Sequence, residues 1–423
     1  MQVQRRPHLH RDWIDSDAFE IVERLQRKGF TTYLVGGCVR DLLAGIHPKD
    51  TDIVTTAHPE DVRAIIPRAF IIGKRFRLVL VRRGERQYEV ATFRREAKPE
   101  EIPDEFTSND NVFGTPEQDA VRRDFTINGL FYDPVKDELI DYCSGLPDIE
   151  NGVIRMIGDP EVRLREDPIR TLRALRLAHK LGFAIEPELR QAMQLTAPDT
   201  VKSVLPRRRE EILKILKLSD PLPALYEAHD LGILAHVSPT LNRVFEDLER
   251  SEIFETYMHR FHNVVTSPDN PVELFGGLIL SYFRAVVSSD PHDPVFNREL
   301  LQEEENKRFF RDELGMSNFE QMMVSKAFQF QSILKSVEKI KKRGERRRIA
   351  VIGHEAFPLA MMFARFDHGL SPQEMDFWQT AFDAHKPSRE EREESSMRRR
   401  RPRRGRRPRR MRRPPSTGRP DNP

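Results

Sequence analysis

Residues 34–41 read LVGGCVRD, and residues 49–54 read KDTDIV. The first segment is an apolar run that ends in two glycines and continues into residues typical of a short helix. The second segment carries Asp50 and Asp52 directly before an apolar run that predicts a strand. Strand, glycine turn, helix and paired carboxylates lie close together in the sequence. This order predicts an α/β unit with a candidate anion-binding turn beside a candidate cation site.

Charge is distributed unevenly along the chain. The 423 residues carry a formal net charge of +3, but residues 398–413 contain twelve arginines and no acid. The rest of the chain is therefore mildly acidic, and its terminal segment is strongly cationic. Such a Pro- and Arg-rich segment predicts disorder and a non-specific grip on a polyanion.

The positions of the cysteines and the lack of long apolar runs indicate the cellular compartment. Cys38 and Cys143 are far apart, which argues against a disulfide framework and fits a reducing cytoplasm. The first 17 residues lack the apolar core of a signal peptide, and we find no run of about 18 apolar residues. We therefore expect a cytoplasmic protein without a membrane span.

The periodicity of the sequence predicts an α+β fold. Short strands and helices alternate up to about residue 150, and helical periodicity dominates from Arg163 to about Ala384. We expect a head with a small antiparallel or mixed sheet, followed by helical segments. The predicted parts are an N-terminal helix (1–30), a head (31–153), a helical neck (154–220), a helical body (221–385) and a disordered tail (386–423).

Asp50 and Asp52 are the first candidate site residues. On a strand, side chains at positions i and i+2 point to the same face, and two adjacent carboxylates repel unless a cation lies between them. Mg²⁺ suits such oxygen ligands and shares its shell with substrate phosphates. A solvated turn would explain the two aspartates equally well. Gly36, Gly37 and Arg40 favour the functional interpretation, because a glycine turn and a guanidinium together can cradle phosphates.

The combined pattern resembles a known family. GGCVRDLLAG at 36–45, followed by DTDIVT at 50–55, is similar to the head signature of the class II nucleotidyltransferases. These are the bacterial poly(A) polymerases and the CCA-adding tRNA nucleotidyltransferases of the polymerase-β superfamily. The resemblance covers about residues 30–215. It implies a polymerase-β-like head in which Asp50 and Asp52 are catalytic and bind Mg²⁺, while the two glycines and Arg40 bind the nucleotide.

A second motif, RRDFTIN at 122–128, matches the family without a departure. Taken alone, Arg-Arg-Asp would be a surface ion-pair patch. The resemblance implies that Arg123 and Asp124 contact the sugar or phosphates of the nucleotide, that Asp124 belongs to the catalytic set, and that Asn128 supports the site. A guanidinium beside a carboxylate suits this role, because its fork geometry matches phosphate oxygens.

Glu89 lies in YEVATF (88–93), a segment that predicts a mostly apolar strand. One interpretation is an ion-pair partner for Arg75 or Arg77. The resemblance implies instead a third catalytic carboxylate on a strand next to Asp50 and Asp52.

The segment EDPIRTLR at 166–173 predicts a helix that runs from Arg163 to near Gly182. Asp167 before Pro168 is typical of an N-cap and first-turn pair, and a charged helix face can simply be solvated. The resemblance implies that Asp167 and Arg170 read the base of the incoming nucleotide in place of a template. Arg173 lies on the same face and is included among the nucleotide-binding residues.

Three further segments bear on the choice within the family. Two segments are similar to segments of the bacterial poly(A) polymerases: IGKRFRLV at 72–79 and DNVFGTP at 110–116. The resemblance implies only a general RNA-facing or structural role for the basic helix that opens at 207–209. Arg398 to Arg413 would hold single-stranded RNA. We therefore expect transfer of AMP from ATP to RNA 3′ ends, a template-independent polyadenylation that promotes RNA decay. The alternatives are a CCA-adding enzyme that uses CTP and ATP, and a non-catalytic RNA-binding protein.

Overall fold

The computed structural model describes residues 2–5, 7, 9–73, 77–96, 112–290 and 303–385. The described residues form two compact units, one within residues 1–335 and 355–370 and the other within residues 336–354 and 371–385. Part of the segment at 72–79, part of the segment at 110–116 and the arginine-rich tail at 398–413 lie outside the described residues.

The head is built on an eight-stranded mixed sheet with strand order β1-β8-β7-β2-β3-β6-β5-β4. Among the described strands of this sheet, β3 and β6 are the only parallel neighbours, and the other pairs are antiparallel. The α+β prediction is therefore confirmed, and the N-terminal residues contribute an edge strand as well as a helix. The strands are β1 (Gln2–Arg5), β2 (Thr32–Val35), β3 (Asp52–Thr55), β4 (Ala69–Ile72), β5 (Leu78–Arg83), β6 (Arg86–Thr92), β7 (Leu130–Asp133) and β8 (Glu138–Asp141).

Short helices flank this sheet and close its core. A buried cluster joins Val35, Val54, Phe93 and Phe131 from four neighbouring segments to Ala120 of α4. This packing brings the helix that precedes the RRDFTIN motif against the strands that carry the glycine turn. The helices of the head are α1 (Ser16–Arg27), α2 (Gly37–Leu43), α3 (Pro59–Ile65), α4 (Pro116–Val121) and α5 (Gly145–Glu150).

The neck includes a two-stranded parallel pair, β9 (Val153–Ile154) and β10 (Ala184–Ile185), and its first two helices lie between these strands in the chain. The predicted continuous helix from Arg163 to Gly182 is wrong, because the backbone breaks at Asp167, where φ is −142° and ψ is 88°. Proline after Asp167 disfavours helical geometry at that aspartate, so the chain forms two helices. The neck helices are α6 (Pro160–Glu166), α7 (Ile169–Leu181), α8 (Pro187–Thr196) and α9 (Leu205–Leu216).

Aromatic side chains fill the core of the helical body. Gly277 allows the ring of Phe261 to pack closely, since a Cβ at Gly277 would lie 2.4 Å from that ring. Arg284 and Asp367 form a buried ion pair with two 2.7 Å contacts. The helices of this region are α10 (Leu222–Asp230), α11 (Ile233–Val237), α12 (Pro239–Phe245), α13 (Leu248–Val264), α14 (Pro271–Val286), α15 (Glu304–Arg308), α16 (Asn318–Leu334) and α19 (Phe357–Asp367).

The second unit contains α17 (Val337–Arg343), α18 (Glu345–Ile352) and α20 (Pro372–His385). Within the described ranges, no single helix is long and apolar enough to cross a membrane. The consecutive helices α18 and α19 reach that length and composition only when they are taken together as a bent pair.

Candidate active site

The glycine turn connects β2 to α2. Gly36 has φ of 70° and ψ of −125°, a conformation that side chains strongly disfavour, and its N–H donates to the carbonyl of Leu130 on β7 at 3.2 Å. A Cβ at Gly36 would lie 2.9 Å from Nη1 of Arg123. Glycine at this position therefore lets the Arg123 guanidinium approach the backbone of the turn.

The carboxylates gather at one end of the parallel strand pair. Asp52 on β3 stands in register with Glu89 on β6, so the two side chains are cross-strand neighbours. The prediction that Asp50 and Asp52 lie on one strand is wrong, because β3 begins at Asp52 and Asp50 precedes it. Burial raises the pKa of Asp52, the charges of Glu89 and Asp50 raise it further, and Arg123 opposes the shift.

Of the two ion pairs that the sequence allowed for Glu89, the one with Arg77 is not formed. Arg77 pairs with Glu60 instead, and Arg75 lies outside the described residues. Because the charge of Glu89 raises the pKa of Asp52, the two carboxylates lie close enough to repel each other. The geometry therefore favours a shared carboxylate cluster over an isolated surface glutamate.

Arg40 is held tightly on α2. Its Nε and Nη2 donate to Oδ1 of Asp41 at 2.9 and 2.6 Å, and its Nη1 donates to Oδ1 of Asn128 at 2.7 Å. Arg40, Asp41 and Asn128 are all buried, each with about 6% of its surface exposed. A buried guanidinium requires such partners, and they fix its orientation toward the turn.

Asp124 connects the head to the neck. Its Oδ1 accepts from Nδ2 of Asn128 and from the N–H of Phe125, both at 2.9 Å. Its Oδ2 accepts from Nε of Arg173 on α7 at 2.7 Å. Burial raises the pKa of Asp124, but the Arg173 charge and these hydrogen bonds outweigh it, so the pKa lies below its usual value. Asp124 is therefore a stable anion that orients Arg173.

Arg123 is anchored from the side opposite the glycine turn. Its Nη2 and Nε donate to Oδ2 of Asp119 at 2.8 and 3.2 Å, and its guanidinium lies 5.5 Å from the centre of the Phe131 ring. Since Asp119 is buried, this pair fixes the guanidinium beside Gly36. A side chain held in this way is suited to bind an anion without further ordering.

The break between α6 and α7 defines the roles of Asp167 and Arg170. The predicted N-cap role of Asp167 is wrong, because Pro168 is the N-cap residue and no side chain caps the helix. Instead, both oxygens of Asp167 accept from Arg207 on α9, each at 2.8 Å. Arg170 donates to the carbonyl of Arg163 at 2.7 Å and to Glu166 at 3.2 Å. Both predicted base readers are therefore fixed by protein partners.

These side chains line one cavity of about 440 Å³ between the head and the neck. Ten of the twelve predicted site residues line it, whereas Asp50 and Glu89 lie outside its wall. Six arginines and three aspartates give the wall a positive balance, which suits a polyanion such as a triphosphate. The lining residues are Gly36, Gly37, Arg40, Asp52, Arg123, Asp124, Asn128, Asp167, Arg170, Arg173, Arg176 and Arg207.

Two parts of this chain are similar to known protein families. Residues 32–155 match the family model of the poly A polymerase head domain, and residues 182–245 match a probable RNA and SrmB binding site of polymerase A. The head of this chain is therefore similar to the poly A polymerase head domain.

Curated relatives of this head domain fall into two groups. Poly(A) polymerase I of Haemophilus influenzae is 40% identical over 244 residues, which are 56% of this chain and 54% of that protein. A CCA-adding enzyme of Lactobacillus helveticus is 38% identical over 200 residues, which are 47% of this chain and 49% of that protein. This chain therefore spans about half the length of these two relatives.

A solved structure shows the same fold over most of the chain. The Thermotoga maritima CCA-adding enzyme complexed with tRNA matches with a TM-score of 0.58 and 21% identity, covering 92% of this chain and 87% of that one. This chain therefore shares its fold with that CCA-adding enzyme.

The donor set of the head suits a divalent cation. Asp52 lies beside Glu89, its pKa is also raised by Asp50, and hard cations such as Mg²⁺ bind carboxylate oxygens. In the part of the chain that the structure describes, no group of three or more His, Cys, Asp or Glu side chains is arranged so that it could hold a metal ion. Mg²⁺ does not need such a group, because it keeps several waters and binds substrate phosphates as well.

Sequence reasoning missed Arg176 and assigned Arg207 only a general role. Arg176 follows Arg173 by three residues on α7, and its Nε donates to Glu211 on α9 at 2.6 Å. The spacing of Arg170, Arg173 and Arg176 places them on one helix face, and this signal was available in the sequence. No comparable pattern marked Arg207, because its role depends on the packing of α9 against α7 within the neck.

Proposed function

We propose that this chain is a template-independent polynucleotide adenylyltransferase that adds AMP from ATP to RNA 3′ ends. The supporting observation is that one cavity is lined by the glycine turn, by Asp52 and by the two predicted base readers, Asp167 and Arg170. In the reaction, the 3′ oxygen forms a bond to the α-phosphorus of ATP. The bond from that phosphorus to the bridging oxygen breaks, pyrophosphate leaves, and the hydroxyl proton passes to solvent.

The head residues bind and orient the triphosphate in this proposal. Arg40 and Arg123 are each anchored on a buried aspartate and present their remaining N–H groups to phosphate oxygens. Asp50 and Asp52 would hold Mg²⁺ with Glu89 assisting, and the bound ion would lower the pKa of a hydroxyl and neutralise charge on the leaving group. Asp124 and Asn128 keep Arg173 and Arg40 in position beside the nucleotide.

The neck residues select the base. The Watson–Crick edge of adenine offers an amino donor and a ring-nitrogen acceptor, which a carboxylate and a guanidinium complement. Cytosine has the same polarity along its edge, so the position of the two readers must discriminate between the bases. Arg207 fixes Asp167, while Glu166 and the Arg163 carbonyl fix Arg170. Two readers that are held by protein partners are suited to one base size, which supports adenine alone over alternating use of cytosine and adenine.

RNA would bind along the helical part of the chain. The match of residues 182–245 to a probable RNA-binding region supports this placement. The arginines at 398–413 would add a non-specific grip whose strength falls steeply with salt. Both features suit a protein that marks RNA for decay. A cytoplasmic location fits the two cysteines, because Cys38 and Cys143 are free thiols.

CCA addition to tRNA is the second candidate function. The supporting observations are the CCA-adding relatives and the shared fold with a CCA-adding enzyme. The chemistry would be identical, but CTP and ATP would be added in order to a tRNA lacking its CCA end.

One experiment separates these functions. The protein is incubated with Mg²⁺, either oligo(A) or tRNA without CCA, and labelled ATP or CTP. Long A-tails on oligo(A) with little use of CTP support the proposal, and ordered addition of C and A to tRNA supports the second candidate. Incorporation that survives Asp52→Ala would refute the mechanism, and binding of RNA without incorporation would indicate a non-catalytic protein.

A further inference from the structure

Helix α7 is attached to the head at two points. Arg173 donates to Asp124 at 2.7 Å, and Lys180 donates through Nζ to Oδ2 of Asp41, also at 2.7 Å. The two contacts are seven residues apart, about two helical turns, and so lie on the same face of α7. The second contact lies outside the cavity wall, because neither Lys180 nor Asp41 lines it.

Asp41 has both oxygens occupied. Its Oδ1 accepts two bonds from Arg40, and its Oδ2 accepts from Lys180. Since Asp41 is about 6% exposed, water cannot easily replace a lost partner. Without Lys180, the carboxylate would turn to share its second oxygen with Arg40, and the guanidinium would move with it.

Arg40 transmits this change to the cavity. Its three bonds to Asp41 and Asn128 leave N–H groups on both terminal nitrogens unused, and Arg40 lines the cavity. The direction of these unused N–H groups is set by how Asp41 is held. Bidentate recognition of phosphate depends strongly on that direction.

We infer that Lys180 and Asp41 are positioning residues that orient Arg40 toward the phosphates of the bound nucleotide. This inference rests on the proposed function, because it takes the triphosphate as the ligand of the cavity. Neither residue touches the nucleotide, so both act through the guanidinium of Arg40. The neck thereby contributes to phosphate binding as well as to base reading.

The test compares binding of ATP with binding of adenosine, which lacks phosphates, by calorimetry on the full chain without RNA. Lys180→Met removes the charge and keeps the apolar stem, whereas Lys180→Arg restores it. Lys217→Met is the matched control, because Lys217 pairs with Asp269 at 2.9 Å and its side chain is 33% exposed, like that of Lys180. Unfolding curves confirm that each variant is folded, and Lys180→Gln or Asp41→Asn is used if Lys180→Met does not fold.

We expect Lys180→Met to weaken ATP binding about tenfold, or about 1.4 kcal/mol, and to leave adenosine binding unchanged. Lys180→Arg should recover most of the loss, and Lys217→Met should bind both ligands like the wild type. Equal loss of ATP and adenosine binding, or no loss of either, would overturn the inference while leaving the proposed function intact. A wild-type chain that binds no ATP would overturn both.

Discussion

Replacement of Gly36 by alanine tests the close approach of the Arg123 guanidinium to the glycine turn. The φ of 70° and ψ of −125° at Gly36 should cost an alanine about 1–3 kcal/mol of backbone strain. The new Cβ would also lie 2.9 Å from Nη1 of Arg123, which cannot retreat freely because Asp119 holds the same guanidinium. We expect Gly36→Ala to lower the free energy of unfolding by about 2–4 kcal/mol in total.

Gly45→Ala is the matched control for this substitution. Gly45 has the same φ of 70°, but no atom lies within 4 Å of a Cβ built there. Gly45→Ala should therefore cost only about 1–2 kcal/mol of conformational strain and leave Arg123 in place.

Urea unfolding and AMP incorporation measure the two effects separately. Because Arg123 must shift, Gly36→Ala should reduce incorporation by about tenfold or more at saturating RNA, whereas Gly45→Ala should not. If both variants unfold at the same urea concentration and incorporate AMP at the same rate, the close approach of Arg123 to the turn does not control the site.

Three further predictions concern the ionised groups. Arg207→Met should free Asp167 and lower the ratio of AMP to CMP incorporation by up to about fivefold, because an ion pair whose guanidinium is half exposed contributes up to about 1 kcal/mol. An unchanged ratio with labelled nucleotides would contradict this. Burial raises the pKa of Asp124, but Arg173 lowers it below the unfolded value. The stabilisation by Arg173 is therefore present at pH values above the pKa of Asp124 in the unfolded chain, and it is lost as the pH falls through the pKa of Asp124 in the folded chain. If the free energies of unfolding of Arg173→Met and the wild type, measured in urea, differed by the same amount at every pH in this range, the prediction would be refuted. Burial and nearby carboxylates raise the pKa of Asp52, so Asp52→Asn should increase the free energy of unfolding at pH above the folded pKa while abolishing incorporation; a loss of stability would show that the repulsion is absent.

Local sequence determined the strand, turn and helix units of the head. Strands over Thr32–Val35 and Asp52–Thr55 form as their apolar runs predict, and Gly36 ends the first of them in a conformation that disfavours other residues. These features depend on neighbours in sequence, so they can be derived from residue type and spacing. The same holds for the common face of Arg170 and Arg173, because helical periodicity alone places them together.

The break at Asp167 shows where local reasoning failed. Asp-Pro is compatible with an N-cap, and the sequence also allowed a single helix from Arg163. The structure instead ends one helix before Asp167 and directs its carboxylate to Arg207. A residue forty positions away decided the outcome, and no spacing rule identifies it.

Only the tertiary structure decided how the charged residues pair. Lys180 reaches Asp41 across 139 residues of sequence, and Arg173 reaches Asp124 across 49. In a chain in which about a third of the residues are charged, many pairings satisfy the same pattern. Packing of α7 against the head selects among them, because a buried carboxylate is stable only with a cation that the fold brings within hydrogen-bonding distance.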